Sequence, residues 1–163
     1  AVTLVAAGAA AIGVDDRTAV TDTDRDHSAP RALFVCTHNS ARSQLAAALW
    51  RHRTGADASS AGTHPAVRVH PGAVAAASRL GLDLADAVPR VLTPGELEAA
   101  ELVITVCDRA HEEVTVPDTS LHWSIPDPVG AHPSADDPDP FDFAAILLDR
   151  RISATVQPAF TPT

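Results

Sequence analysis

Residues 36–43 read Cys-Thr-His-Asn-Ser-Ala-Arg-Ser, a cysteine and an arginine spaced as C-x5-R with a serine directly after. The stretch follows the apolar run Ala32–Cys36 and precedes the helix-forming run that starts at Ser43. A loop between a strand and a helix turns several backbone N–H groups inward, and the helix adds the positive end of its dipole. Thr37, His38, Asn39, Ser40 and Ala41 would then form an anion cradle. Asn39 is one of the few non-glycine types that accept a left-handed backbone, which such a loop needs. The planar fork of Arg42 can take two oxygens of a tetrahedral oxyanion. A thiol in that cradle should ionise easily and act as a nucleophile, with Ser43 donating to its sulfur. A structural cysteine before an ordinary loop would need neither that arginine nor that asparagine.

The elements that must position these residues alternate along the chain. The run 32–36 reads as a buried parallel strand. "SQLAAALWRHR" reads as a helix with Leu45 and Leu49 on one face, and Trp50 as a core anchor. "ADASSAG" fits a second strand. In "HPGAVAAASRLG", Pro71 suits a first helical position and Gly81 a stop. Thr93 and Glu96 make a capping box. "ELVITVC" is a β-branched strand and "LHWSI" a shorter one. Pro140 opens a last helix with Phe141, Leu148 and Ile152 on one stripe. Cys36 and Cys107 each fall at a strand end in this reading. The alternation predicts an α/β fold: one three-layer domain, a four-stranded parallel sheet with helices on both faces. Ligands of such folds bind beyond the C-terminal strand ends.

The 163 residues and 45% apolar content suit one domain with tails. The net charge of −9 excludes broad nucleic-acid or anionic-membrane binding by this domain. No apolar run reaches membrane-spanning length. Two cysteines cannot build a disulfide framework, so a cytoplasmic setting is expected. Residues 1–30 read as a tail or the remnant of an upstream domain followed by an acidic flexible linker. A fused winged-helix repressor is one candidate for that upstream domain. Residues 31–157 form the expected domain and 158–163 a C-terminal tail.

"VCTHNSARS" resembles the signature loop of the low-molecular-weight protein tyrosine phosphatase superfamily, which includes the thioredoxin-coupled and mycothiol-coupled arsenate reductases. "SSAGTHPAVRVHPGAVAAASRLGLDL", "ELVITVCD" and "LHWSIPDP" resemble the family's second strand and helix, its third strand and its general-acid segment. The resemblance implies the low-molecular-weight phosphatase fold. It makes Cys36 the nucleophile, Arg42 the oxyanion ligand, Ser43 the residue that tunes the thiolate and Asn39 the one that shapes the loop. Asp127 becomes the acid that protonates the leaving oxygen. Asp-Pro pairs are also frequent turn formers. His38 departs from the family, which usually has a small residue there, and Ala41 stands where many relatives carry a second cysteine.

The resemblance covers two chemistries. A phosphatase lets water hydrolyse the thiophosphate, whereas a reductase lets a second thiol attack the arsenic-bound sulfur and release arsenite. Arsenate is favoured because the chain has no tyrosine and Val129-Gly130 after the Asp-Pro cannot stack on a substrate ring. The Cys36–Asp127 interval also resembles the shorter spacing of the reductases. Cys107 stands where the thioredoxin-coupled enzymes place a resolving cysteine, although a core cysteine would sit there equally well. Val114 occupies the position of their third cysteine. The electron donor expected is an external thiol, thioredoxin or mycothiol with a glutaredoxin-like protein, and no bound cofactor is expected. Phosphate-ester hydrolysis and oxyanion sensing in a regulatory protein are the alternatives. No metal is expected, since "HEEVT" lacks the second histidine of a zinc-protease helix. His64 and His70 read as loop residues, His122 as a packing residue or, as an alternative, part of the active-site rim, and the aspartates of 136–142 as helix-capping charge.

Overall fold

A computed structural model describes residues 29–157. The readings of residues 1–28 and 158–163 lie outside the described residues. The elements are β1 (Ala32–Cys36), α1 (Arg42–Thr54), β2 (Ala58–Gly62), α2 (Pro71–Arg79), α3 (Pro94–Ala99), β3 (Leu102–Thr105), α4 (Asp108–Glu113), β4 (Leu121–His122) and α5 (Pro140–Val156). The sheet has four parallel strands in the order β2-β1-β3-β4.

All five residues of β1 are buried, as expected of a central strand covered on both faces. The β1-to-β2 and β3-to-β4 crossovers run in opposite directions across the sheet. Right-handed connections therefore put α1 and α4 on opposite faces. Helices α1, α2 and α5 pack together as one layer.

The expected stripe of Leu45 and Leu49 is part of a helix buried all the way from Ser43 to Trp50. The sheet, α2 and α5 enclose it, and Ala46, Ala47 and Ala48 let them approach closely. Phe34 packs edge-on against Trp50 with ring centroids 5.7 Å apart, and the indole N–H donates to the Pro30 carbonyl. Helix α1 ends at Gly55, whose φ of 71° closes the last turn.

The Thr93/Glu96 capping box opens α3, and the Asp139 side chain caps α5. Phe141, Leu148 and Ile152 all face the core. Two strands are shorter than expected: β4 keeps only Leu121–His122 of the run 121–125, and β3 stops at Thr105. Cys107 lies beyond the end of β3 and is the N-cap of α4, a short helix that sequence periodicity does not announce. Six residues are too few to show a helical repeat. No helix among the described residues is long and apolar enough to cross a membrane.

Candidate active site

Cys36 ends the central strand and is buried, so the loop 37–41 starts from a rigid support. The carbonyls of Cys36, Thr37, His38 and Ser40 accept from the amides of Thr63, His64, Ala66 and His70. Anchoring the carbonyls outward leaves the loop's N–H groups on the inner side. The Asn39 amide points at the Cys36 sulfur, 3.2 Å away. No partner is found among the described residues for the amides of His38, Ser40, Ala41 and Arg42. That is the donor arrangement of an anion cradle.

Asn39 is the hub. Its φ of 48° is the left-handed value expected for it. Its Nδ2 donates to Ser43 Oγ at 2.8 Å and to Ser60 Oγ at 2.9 Å. Its Oδ1 accepts from the Arg90 amide and from Gln44 Nε2. A side chain with all its polar atoms engaged holds the loop in a conformation it would not otherwise adopt. Gly62 completes the clamp: a Cβ there would meet the Thr37 carbonyl at 2.7 Å and Asn39 Cβ at 3.0 Å. Sequence reasoning named Asn39 but missed Ser60, Gln44, Gly62 and Arg90. The small residues of "SSAG" carried a faint signal, because close backbone approach needs small side chains.

Ser43 Oγ stands 2.9 Å from Cys36 Sγ, as expected. The thiol's acidity differs from expectation. Burial pushes the Cys36 thiol up, and the hydrogen bonds from Ser43 and Asn39 oppose this without overcoming it. The nearby Cys107 adds to the upward push. A sulfur sealed at the foot of the loop loses more solvation than its donors return.

Arg42 is the first residue of α1. Its Nη1 donates to the Ile125 carbonyl at 2.9 Å, and its Nη2 lies 3.6 Å from an Asp127 carboxylate oxygen. Asp127 also accepts from the Val129 amide, a turn that aims the half-exposed carboxylate across the loop. Cys107 Sγ lies 3.4 Å from Thr37 Oγ1, so the second thiol packs against the residue that follows the first. All ten expected site residues are therefore gathered at the C-terminal end of the sheet, where the fold class places ligands.

Two cavities open there and share His38 and Asp127. One, of about 360 Å³, is lined by Thr37, Arg42, Cys107, Asp108 and Ser124 among others. The second, of about 430 Å³, adds Ser40, Arg68, His70 and Val129. A larger cavity of about 500 Å³ lies between α1, α2 and α5. It is rimmed by ion pairs, Arg53 with Asp149 and Arg79 with Asp142, and holds no nucleophile. Among the described residues no group of three or more His, Cys, Asp or Glu could hold a metal ion.

The pattern described as low molecular weight phosphotyrosine protein phosphatase matches residues 31–147. The chain belongs to that family. An arsenate reductase of Brevibacillus brevis is 36% identical over 104 residues, covering 60% of this chain and 75% of its own. A thioredoxin-dependent arsenate reductase of Corynebacterium glutamicum is 28% identical with a TM-score of 0.63, over 84% of this chain and 65% of that one. A mutant of YwlE from Bacillus subtilis superposes with a TM-score of 0.67 at 23% identity, over 78% of this chain and 97% of that one, a likeness of fold. The chain is accordingly an enzyme of arsenate-reductase or low-molecular-weight phosphatase type.

Proposed function

We propose that this enzyme is a thiol-dependent arsenate reductase in which Cys36 is the nucleophile. The contact between Cys107 Sγ and Thr37 supports this reading over simple hydrolysis, because it keeps a second thiol beside the nucleophile's loop. Cys36 attacks arsenic in line, while the loop amides and Arg42 take up charge on the equatorial oxygens. Asp127 gives its proton to the departing oxygen, which leaves as water. Cys107 or an external thiol then attacks the Cys36 sulfur. A disulfide forms, the sulfur–arsenic bond breaks, and its electron pair stays on arsenic, which departs as arsenite. Oxidation of two thiols balances the reduction of As(V) to As(III). An external reductant restores the thiols; thioredoxin, or mycothiol with a glutaredoxin-like protein, fits this need, and the arsenate reductase resemblance favours such a donor. Val114 leaves the chain without a further internal cysteine to receive the disulfide.

One equivalent of arsenate given to the reduced enzyme should yield arsenite and a Cys36–Cys107 disulfide, detected as a mass decrease and a linked peptide. Cys36→Ser should release none. Release of arsenite only with a small thiol, with no internal disulfide, assigns resolution to the external thiol. No arsenite with any thiol system refutes the reductase reading.

Phosphatase action is the second reading. The cavity beside Asp127 bearing Ser40, Arg68 and His70 has room for a leaving group larger than hydroxide. Hydrolysis of an activated aryl phosphate, lost in Cys36→Ser, would support it.

A further inference from the structure

One hydrogen-bonded chain at the edge of the site takes no part in the chemistry above. His111 Nδ1 lies 3.0 Å from Thr105 Oγ1, Thr105 Oγ1 lies 2.9 Å from His122 Nδ1, and His122 Nε2 lies 3.0 Å from Asp108 Oδ1. The two imidazoles are stacked with centroids 4.1 Å apart and planes 17° from parallel. Asp108 lines the same cavity as Arg42, Cys107 and Asp127. His122 therefore reaches the site through Asp108, nearer to the rim position than to the packing role its sequence context offers.

We propose that His122 is a positioning residue that holds Asp108 on the cavity wall, and that its protonation offsets the Asp108 charge and so sets how tightly the site holds an oxyanion dianion. This rests on the reading of the loop as an oxyanion site.

The proton positions follow from the partners. Nε2 of His122 faces a carboxylate and so carries hydrogen. In neutral His122 the bare Nδ1 accepts from the Thr105 hydroxyl, whose oxygen accepts from His111 Nδ1–H. When His122 gains a proton at Nδ1, that hydroxyl needs a new acceptor, and the Leu121 carbonyl stands 3.4 Å away. Thr105 is fully buried, so this second acceptor lets the proton arrive without orphaning a buried donor.

The charges around the cavity make the effect matter. The Ser124 hydroxyl, then His122 and, more weakly, Arg42 hold the Asp108 carboxyl below the usual range against its partial desolvation. Arg109 on the rim is paired with Glu113 at 2.9 Å. With His122 neutral, the cavity therefore sets the two carboxylates of Asp108 and Asp127 against the guanidinium of Arg42 and that of Arg109, whose charge Glu113 already offsets. A protonated His122 neutralises one of the two carboxylates. Imidazoles change charge between about pH 5 and 8, so the dianion should bind more tightly at the acid end.

Sulfate is the probe, because it stays a dianion throughout that range, and Cys36→Ser removes the thiol's own titration. Calorimetry on the full chain should show sulfate binding about fivefold weaker at pH 8.5 than at pH 5.5, the scale of one partly screened charge near a surface. Adding His122→Asn should flatten that slope, and Asp108→Asn should flatten it at the tighter value. His52→Gln, which removes an exposed imidazole on α1 outside both cavities of the site, should leave it in place. A slope that survives both His122→Asn and Asp108→Asn, or that vanishes with His52→Gln, overturns the proposal. A merely structural His122 would lower stability and leave the slope unchanged. Absence of sulfate binding in Cys36→Ser at every pH overturns the oxyanion reading, and this inference with it.

Discussion

The Arg42 guanidinium stands 3.6 Å from the Asp127 carboxylate and donates to the Ile125 carbonyl two residues before it. One side chain at the start of α1 thus positions the segment that carries the acid. The two ends of the fork reach the two ends of that segment, Nη1 the Ile125 carbonyl and Nη2 the Asp127 carboxylate. Arg42→Lys keeps the charge and loses the fork. The expected loss in kcat/KM for arsenate is about a hundredfold or more, the scale of removing one transition-state donor. Steady-state kinetics on the folded variant checks this, and retention of most of the activity would show that charge alone suffices.

Asp127→Asn separates proton donation from charge. Loss of the acid should lower turnover by about a hundredfold or more for a leaving group that needs a proton. An aryl phosphate with a strongly acidic phenol should lose much less. Equal losses on good and poor leaving groups would assign Asp127 a structural role.

Ser43→Ala tests the donors on the thiol. Burial pushes the Cys36 thiol up and Ser43 pulls it back, so removing the hydroxyl should raise it further. Alkylation by iodoacetamide climbs as the thiol ionises. The profile should therefore shift to higher pH, and the neutral-pH rate should drop about fivefold, the worth of one hydrogen bond. The same shift bears on stability. The folded state favours the protonated thiol, so the stability this contributes is present below the unfolded thiol's range and is lost as pH rises through the folded value.

Gly62→Ala probes the clamp from the neighbouring strand. Its new methyl would press on the Thr37 carbonyl, backbone that cannot yield without moving the loop. A stability loss of about 1–3 kcal/mol is expected, together with a fall in kcat. Chemical denaturation and single-turnover kinetics read the two effects separately.

Asn39→Ala removes a left-handed residue with four side-chain partners. Leaving those donors and acceptors buried and unpaired should cost about 2–4 kcal/mol. Asn39→Asp keeps the acceptor and loses both Nδ2 bonds, to Ser43 and Ser60, and adds negative charge near the sulfur. It should slow thiol alkylation further than Ser43→Ala.

What could be read from the chain alone was local. Alternating apolar runs, Pro71 and Pro140 at helix starts, and the Thr93/Glu96 box are short-range patterns, so the strands and most helices were legible. The C-x5-R loop was legible for the same reason, since its cysteine, asparagine, arginine and serine are close in sequence. Helix α4 was not, because six residues are too few to display a period.

Tertiary structure decided the rest, because burial and hydrogen-bond partners depend on which distant segments meet. Only the fold brings Asp127 across from Arg42, Cys107 onto Thr37, and Ser60 and the Arg90 amide onto Asn39. Only the fold joins His111, Thr105, His122 and Asp108 into one chain beside the cavity. The loop's composition pointed to a readily ionised thiol, yet its environment pushes the other way. Composition names the donors around a sulfur, while the solvent it has lost is set by every element packed over it.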